Sequence, residues 1–217
     1  MKKLLFLFVI FPAIALAQTK HAFYDDVQTI KAYDKMFQPP AHSILFVGSS
    51  SIRKWDDLQQ VFGKYVVLNR GVGGTVINDI TYYINDLIFA YHPRQIVLYV
   101  GENDVPDAQS TADSILNRTI VLFKDIRSKL PDVPLVYISM KPSPSRDKYR
   151  EKCEEANAKI KDFLSKQKNA VYVDIFKPML DANGRSRPDL FVSDMLHMNP
   201  KGYAIWEKAV KSYLLKN

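Results

Sequence analysis

Ile44-Leu45-Phe46-Val47-Gly48-Ser49-Ser50-Ser51-Ile52 is an unbroken apolar run closed by a glycine and three serines. A short β-favouring run with no polar alternation reads as a strand buried on both faces, as in a parallel sheet covered by helices. Similar runs recur at 65–68, 96–100, 135–139 and 171–175, which with 44–47 makes five strands expected. Segments of helical period separate them. Val76, Ile77, Ile80, Tyr83, Ile84, Leu87 and Ile88 form one stripe. Ile115, Leu116, Ile120, Phe123, Ile126 and Leu130 form another, opened by Ser110 with Asp113 three residues on. A last helix is expected from Asn199-Pro200, a cap followed by a first-turn proline, through Tyr203, Trp206, Val210 and Leu214. Alternating strand and helix predicts an α/β domain.

The unusual residues gather at strand carboxyl ends. Gly48-Ser49-Ser50-Ser51 follows the first strand, Gly71-Val72-Gly73-Gly74 the second, Gly101-Glu102-Asn103-Asp104 the third and Pro142-Ser143-Pro144-Ser145 the fourth. In an open α/β sheet these ends share one edge, where ligand sites form. Neither glycine-rich turn has the spacing of a dinucleotide fingerprint or a P-loop. The α/β-hydrolase elbow is absent too, because Ile52 stands where its second glycine belongs.

A hydrolytic serine needs a base. His42 and His92 precede strands, at the opposite edge of the sheet, and His21 has no motif around it. His197 lies in Asp194-Met195-Leu196-His197-Met198-Asn199-Pro200, a late loop running into the last helix. One loop could supply a base and the carboxylate that sets its tautomer. Asp174, near the end of the fifth strand, is the rival acid.

Four blocks, in order, resemble those of the SGNH (GDSL-like) hydrolases across 44–203. Phe46-Val47-Gly48-Ser49-Ser50-Ser51-Ile52 resembles the nucleophile block, with Ser49 where the best-known form has aspartate. Asn69-Arg70-Gly71-Val72-Gly73-Gly74, Gly101-Glu102-Asn103-Asp104 and Asp194-Met195-Leu196-His197 resemble the other three. The resemblance implies Ser50 as nucleophile, with Ser49 and Ser51 as competitors for that role. It implies His197 as base, Asp194 as the acid that orients it, and an oxyanion hole from the Ser50 and Gly74 N–H groups and the Asn103 amide. It also implies a flavodoxin-like three-layer α/β/α sandwich on a five-stranded parallel sheet, and hydrolysis of carboxylic esters with no cofactor and no metal. A short acyl group on a carbohydrate or similar small alcohol is the favoured substrate class. A lysophospholipase or thioesterase, and a non-catalytic glycan-binding module, are the alternatives.

Lys2 and Lys3 precede an apolar run ending Ala15-Leu16-Ala17, the pattern of a secretory signal peptide. Cleavage after Ala17 would leave one domain, 18–217, exported to the periplasm or medium with no stable membrane insertion. Net charge +7 would fall to +5 as two lysines leave. Such an excess, spread along helical segments, does not indicate a nucleic-acid partner. Cys153, the single cysteine, shares helical spacing with Ala156, Ile160, Phe163 and Leu164 and reads as a core residue. Trp55, Tyr82, Tyr83, Tyr91 and Trp206 are candidates for a sugar platform, although helix faces explain Tyr83 and Trp206. Arg53 and Arg146 are candidate substrate contacts for which surface solvation is the simpler role.

Overall fold

A computed structural model describes residues 20–216; the signal-peptide reading of 1–17 lies outside them. After helix α1 (Tyr24–Met36) the chain forms β1 (Ile44–Gly48), the short helices α2 (Ser50–Arg53) and α3 (Leu58–Val61), and β2 (Val67–Gly71). Then follow α4 (Ile77–Tyr82), α5 (Ile84–Leu87), β3 (Gln95–Tyr99), α6 (Ala112–Lys129) and β4 (Leu135–Ile138). The chain closes with α7 (Arg150–Ser165), β5 (Ala170–Val173) and α8 (Pro200–Val210). The five strands are all parallel, in the order β2-β1-β3-β4-β5. This is the flavodoxin-like order expected of the fold.

Side chains alternate across the pleat, so β1 feeds two cores. Leu45 and Val47 join the cluster under α1 and α4 to α7, with Ile77, Ile115, Leu122 and Ile160. Ile44 and Phe46 join the opposite cluster, with Trp55, Phe62, Tyr203 and Trp206. Cys153 is buried in the first cluster, where burial pushes its thiol up to about 12. A thiol so held stays protonated and inert.

Four local expectations need correction. The second strand starts at Val67 and runs to Gly71, later than 65–68, since Asn69 and Arg70 pair with Phe46 and Val47. As an edge strand, β2 tolerates polar residues whose side chains find partners. Asn69 donates to the Ile52 carbonyl at 2.7 Å, and Arg70 bonds Tyr91 Oη and Asp34. The other edge, β5, ends at Val173 and exposes Val171, so burial on both faces holds only for the inner three strands. The 76–88 stripe folds as two helices, α4 and α5, broken at Tyr83. Finally, α6 is capped by Thr111: its Oγ1 accepts from Ser114 N–H at 3.1 Å, and Ser114 Oγ from Thr111 N–H at 2.9 Å. Ser110 donates to Asp107 instead. The cap of α8 is as expected, Asn199 Oδ1 accepting from Lys201 N–H at 2.9 Å.

Among the described residues no helix is long and apolar enough to cross a membrane.

Candidate active site

The site sits where β1, β2 and β3 end. Gly48 pairs with Gly71 on one side and Tyr99 on the other. Its φ is +145°, and an added Cβ would lie 1.8 Å from the Tyr99 carbonyl oxygen. Only glycine allows the chain to turn this tightly out of the sheet. The turn places Ser50 at the first position of α2, where a helical N–H has no intrahelical acceptor. Among the described residues no group takes the backbone N–H of Ser50 or of exposed Gly74.

Residues 147 positions apart now meet. Ser50 Oγ lies 3.1 Å from His197 Nε2, and His197 Nδ1 lies 2.6 Å from Asp194 Oδ2. With Nδ1–H donated to the carboxylate, Nε2 is free to accept the Ser50 hydroxyl proton. The other carboxylate oxygen accepts the N–H groups of Leu196 and His197 at 2.9 and 2.8 Å. The His197 contact and these two bonds hold the Asp194 carboxyl well below the usual carboxylate range. Met195, at φ +56°, makes the reversal, and Phe191 and Met198 bridge its base. Asp174 is engaged elsewhere. Its Oδ1 accepts from the N–H groups of Phe176 and Lys177, an ordinary turn at a strand end.

Gly74 and Asn103 are brought together through Thr75. Asn103 Nδ2 donates to the Thr75 carbonyl at 3.0 Å, so one of its two amide N–H groups stays available. Asp104 ties the same loops, accepting from Ile77 N–H at 3.0 Å and from Arg118 at 2.8 Å. Burial pushes the Asp104 carboxyl up, against Arg118.

Behind Asn103 is a charged network that sequence reasoning missed. Lys141, 1% exposed, donates to both Glu102 carboxylate oxygens at 2.6 and 2.7 Å. Tyr99 and Ser143 hydroxyls complete the carboxylate's shell at 2.5 and 2.7 Å. Burial alone would push Glu102 up, but the Lys141 and Arg146 charges outweigh it and hold the carboxyl below its usual range. Arg146 is not a solvated surface residue. It donates to the Glu102 carbonyl at 2.7 Å and to Asn103 Oδ1 at 2.9 Å. Lys141, two residues beyond the buried 135–139 run, was the one available signal, since a charge placed so close to a buried strand needs a partner.

Trp55, Tyr83, Tyr91 and Trp206 are buried and cannot form a sugar platform; Tyr82 is exposed, stacked on His21 with centroids 3.8 Å apart. Arg53 stays at the surface, within 3.5 Å of Asp26. Among the described residues no group of three His, Cys, Asp or Glu side chains is disposed to hold a metal ion.

A family model described as the GDSL-like lipase/acylhydrolase family matches residues 43–205. No curated protein matches the sequence. Several solved structures share the fold, three of which follow. A Streptococcus pneumoniae protein, provisionally described as a platelet activating factor, has TM-score 0.77 at 22% identity, covering 88% of this chain and 92% of its own. A GDSL-like lipase from Bacteroides thetaiotaomicron has TM-score 0.74 at 17% identity, covering 87% and 96%. A variant of an acetyl xylan esterase from Geobacillus stearothermophilus has TM-score 0.62 at 14% identity, covering 82% and 98%.

Proposed function

The chain belongs to the GDSL-like lipase/acylhydrolase family and is a carboxylic ester hydrolase, and from that premise we propose a Ser-His-Asp mechanism in which Ser50 carries the acyl group. Ser50 Oγ attacks the ester carbonyl carbon while its proton passes to His197 Nε2. The carbonyl oxygen takes the negative charge, met by the Ser50 and Gly74 N–H groups and the free Asn103 amide N–H. Preorganised donors of this kind are worth about 3 kcal/mol each at the transition state. Collapse breaks the bond to the alcohol, which leaves with the proton from His197. Water then repeats the sequence, and Ser50 is regenerated as the acid departs. Asp194 keeps Nδ1 protonated and steadies the imidazolium.

The observation that carries this reading is the continuous line Ser50 Oγ–His197 Nε2 at 3.1 Å and His197 Nδ1–Asp194 Oδ2 at 2.6 Å. It also counts against a non-catalytic module, which has no use for an aligned proton acceptor. Ser50→Ala should abolish both turnover of p-nitrophenyl acetate and labelling by a fluorophosphonate probe. Ser49→Ala and Ser51→Ala should keep a measurable part of each. Equal loss from Ser49→Ala in folded protein would move the nucleophile.

The substrate we propose is a short acyl group, acetyl first, on a carbohydrate or small alcohol, met outside the cytoplasm after signal-peptide removal. Support comes from the Lys2-Lys3 and Ala15-Leu16-Ala17 pattern and from the acetyl xylan esterase among the structural neighbours. A longer-chain reading, lysophospholipase or thioesterase, draws on Val192 and Met195, exposed apolar residues flanking the Asp194 turn. Rates across acyl lengths from two to twelve carbons separate the two.

A further inference from the structure

An asparagine amide has nearly the same shape after a half-turn about its last bond, yet the two orientations present opposite chemistry. As oxyanion donor, Asn103 is useful only with nitrogen toward the substrate. Two neighbours select that orientation. The Thr75 carbonyl accepts from Nδ2 at 3.0 Å, and Arg146 Nη2 donates to Oδ1 at 2.9 Å. Turned over, the amide would set oxygen against the Thr75 carbonyl and N–H against a guanidinium. Both contacts would become repulsive.

Arg146 is held in place from three directions. Its own N–H donates to the Ser143 carbonyl at 2.8 Å, its Nη1 to the Glu102 carbonyl at 2.7 Å, and Nη1 lies 3.5 Å from Glu102 Oε1. The Glu102 carboxylate is fixed by Lys141, Tyr99 and Ser143. Burying an ion pair such as Lys141–Glu102 gives little net stability, and swapping it for apolar residues is often neutral or better. Its place here is accounted for by what it anchors: a carboxylate fixed behind the Gly101-Glu102-Asn103 turn that keeps a second cation, Arg146, aimed at the amide. A positive charge on Oδ1 also withdraws electron density from Nδ2–H, which strengthens that donor where negative charge develops.

We propose that Arg146 is a positioning residue for the reaction, fixing the orientation of the Asn103 amide and polarising it toward the oxyanion, with the Lys141–Glu102 pair as its anchor. This rests on the reading of Asn103 as an oxyanion donor. An arginine that only braced the fold would change stability, not the chemical step. One that touched substrate would change KM.

The test is a double-mutant cycle on p-nitrophenyl acetate, reading kcat and KM for wild type, Arg146→Met, Asn103→Ala and the double variant. Asn103→Ala should lower kcat by about 10²- to 10³-fold. Arg146→Met should lower kcat by at least about tenfold with KM within about twofold, and the double variant should match Asn103→Ala alone. Arg146→Lys, which keeps the charge beside Glu102 but cannot bridge both acceptors, should fall between wild type and Arg146→Met. It carries the test alone if the methionine variant does not fold. Wild-type kcat in these Arg146 variants, with Asn103→Ala impaired, overturns the proposal and leaves the oxyanion hole intact. Additive losses, or a loss confined to KM, overturn it as well. Wild-type kcat in Asn103→Ala overturns the oxyanion assignment, and the role of Arg146 with it.

Discussion

At the scale of single residues, the proposed base, His197, and the proposed acid that orients it, Asp194, should not fail equally. Without His197 the Ser50 hydroxyl has no proton acceptor, and only the oxyanion donors and binding remain, leaving about 10³- to 10⁴-fold catalysis over water in comparable triads. Loss of the acid alone is smaller by about one to two decades in such systems. We expect kcat to fall in the order wild type, Asp194→Ala, His197→Ala, with Asp174→Ala near wild type because its carboxylate serves the Phe176 and Lys177 amides. Circular dichroism checks folding, since Asp194 also holds the Leu196 and His197 N–H groups. A kcat for Asp174→Ala below that of Asp194→Ala would reverse the assignment.

At the scale of elements, the strand ends must turn sharply and then be tied to each other. Gly48→Ala places a Cβ 1.8 Å from the backbone oxygen of Tyr99 in a neighbouring inner strand, so β1 and β3 must part. A loss of at least about 3 kcal/mol is expected, read as a lowered urea midpoint. The Glu102–Lys141 pair ties the end of β3 to that of β4, and its pH dependence follows from its direction. Glu102 has a folded pKa below its unfolded one, so its contribution is present above the ordinary carboxylate range and lost as pH falls through the folded value. Glu102→Gln leaves Lys141 buried without its charge partner and should cost about 3–5 kcal/mol at pH 7. As pH falls from the ordinary carboxylate range toward the lowered folded value, the wild type progressively loses the same contribution, so the gap in Tm between the two should narrow. A gap constant from pH 7 to pH 3 would show that Glu102 does not carry this linkage.

For the whole molecule, one sheet separates two hydrophobic cores, and the proposed site lies at the edge where β1, β2 and β3 end. The proposed export adds a prediction that this arrangement does not carry: the mature chain should begin at Gln18, read by amino-terminal mass spectrometry of exported protein. Finding intact Met1 would remove the processing proposal while leaving the reaction class untouched.

Legible in the sequence alone were features that depend on neighbours along the chain. Apolar runs gave the strands, helical stripes gave the buried faces, and Asn199-Pro200 gave the start of α8. Asp194 and His197, three residues apart, could be read as one turn for the same reason. Strand ends were read less well where polar residues continue an edge ladder, as Asn69 and Arg70 do, because hydropathy does not register a side chain that finds a distant partner. Only the tertiary structure decided which distant charges meet. Arg146 reaches Asn103 and Lys141 reaches Glu102 across about 40 positions. Whether a charged side chain is solvated or buried depends on the strand that lies next to it, and that pairing is set by sheet order, which no local pattern encodes.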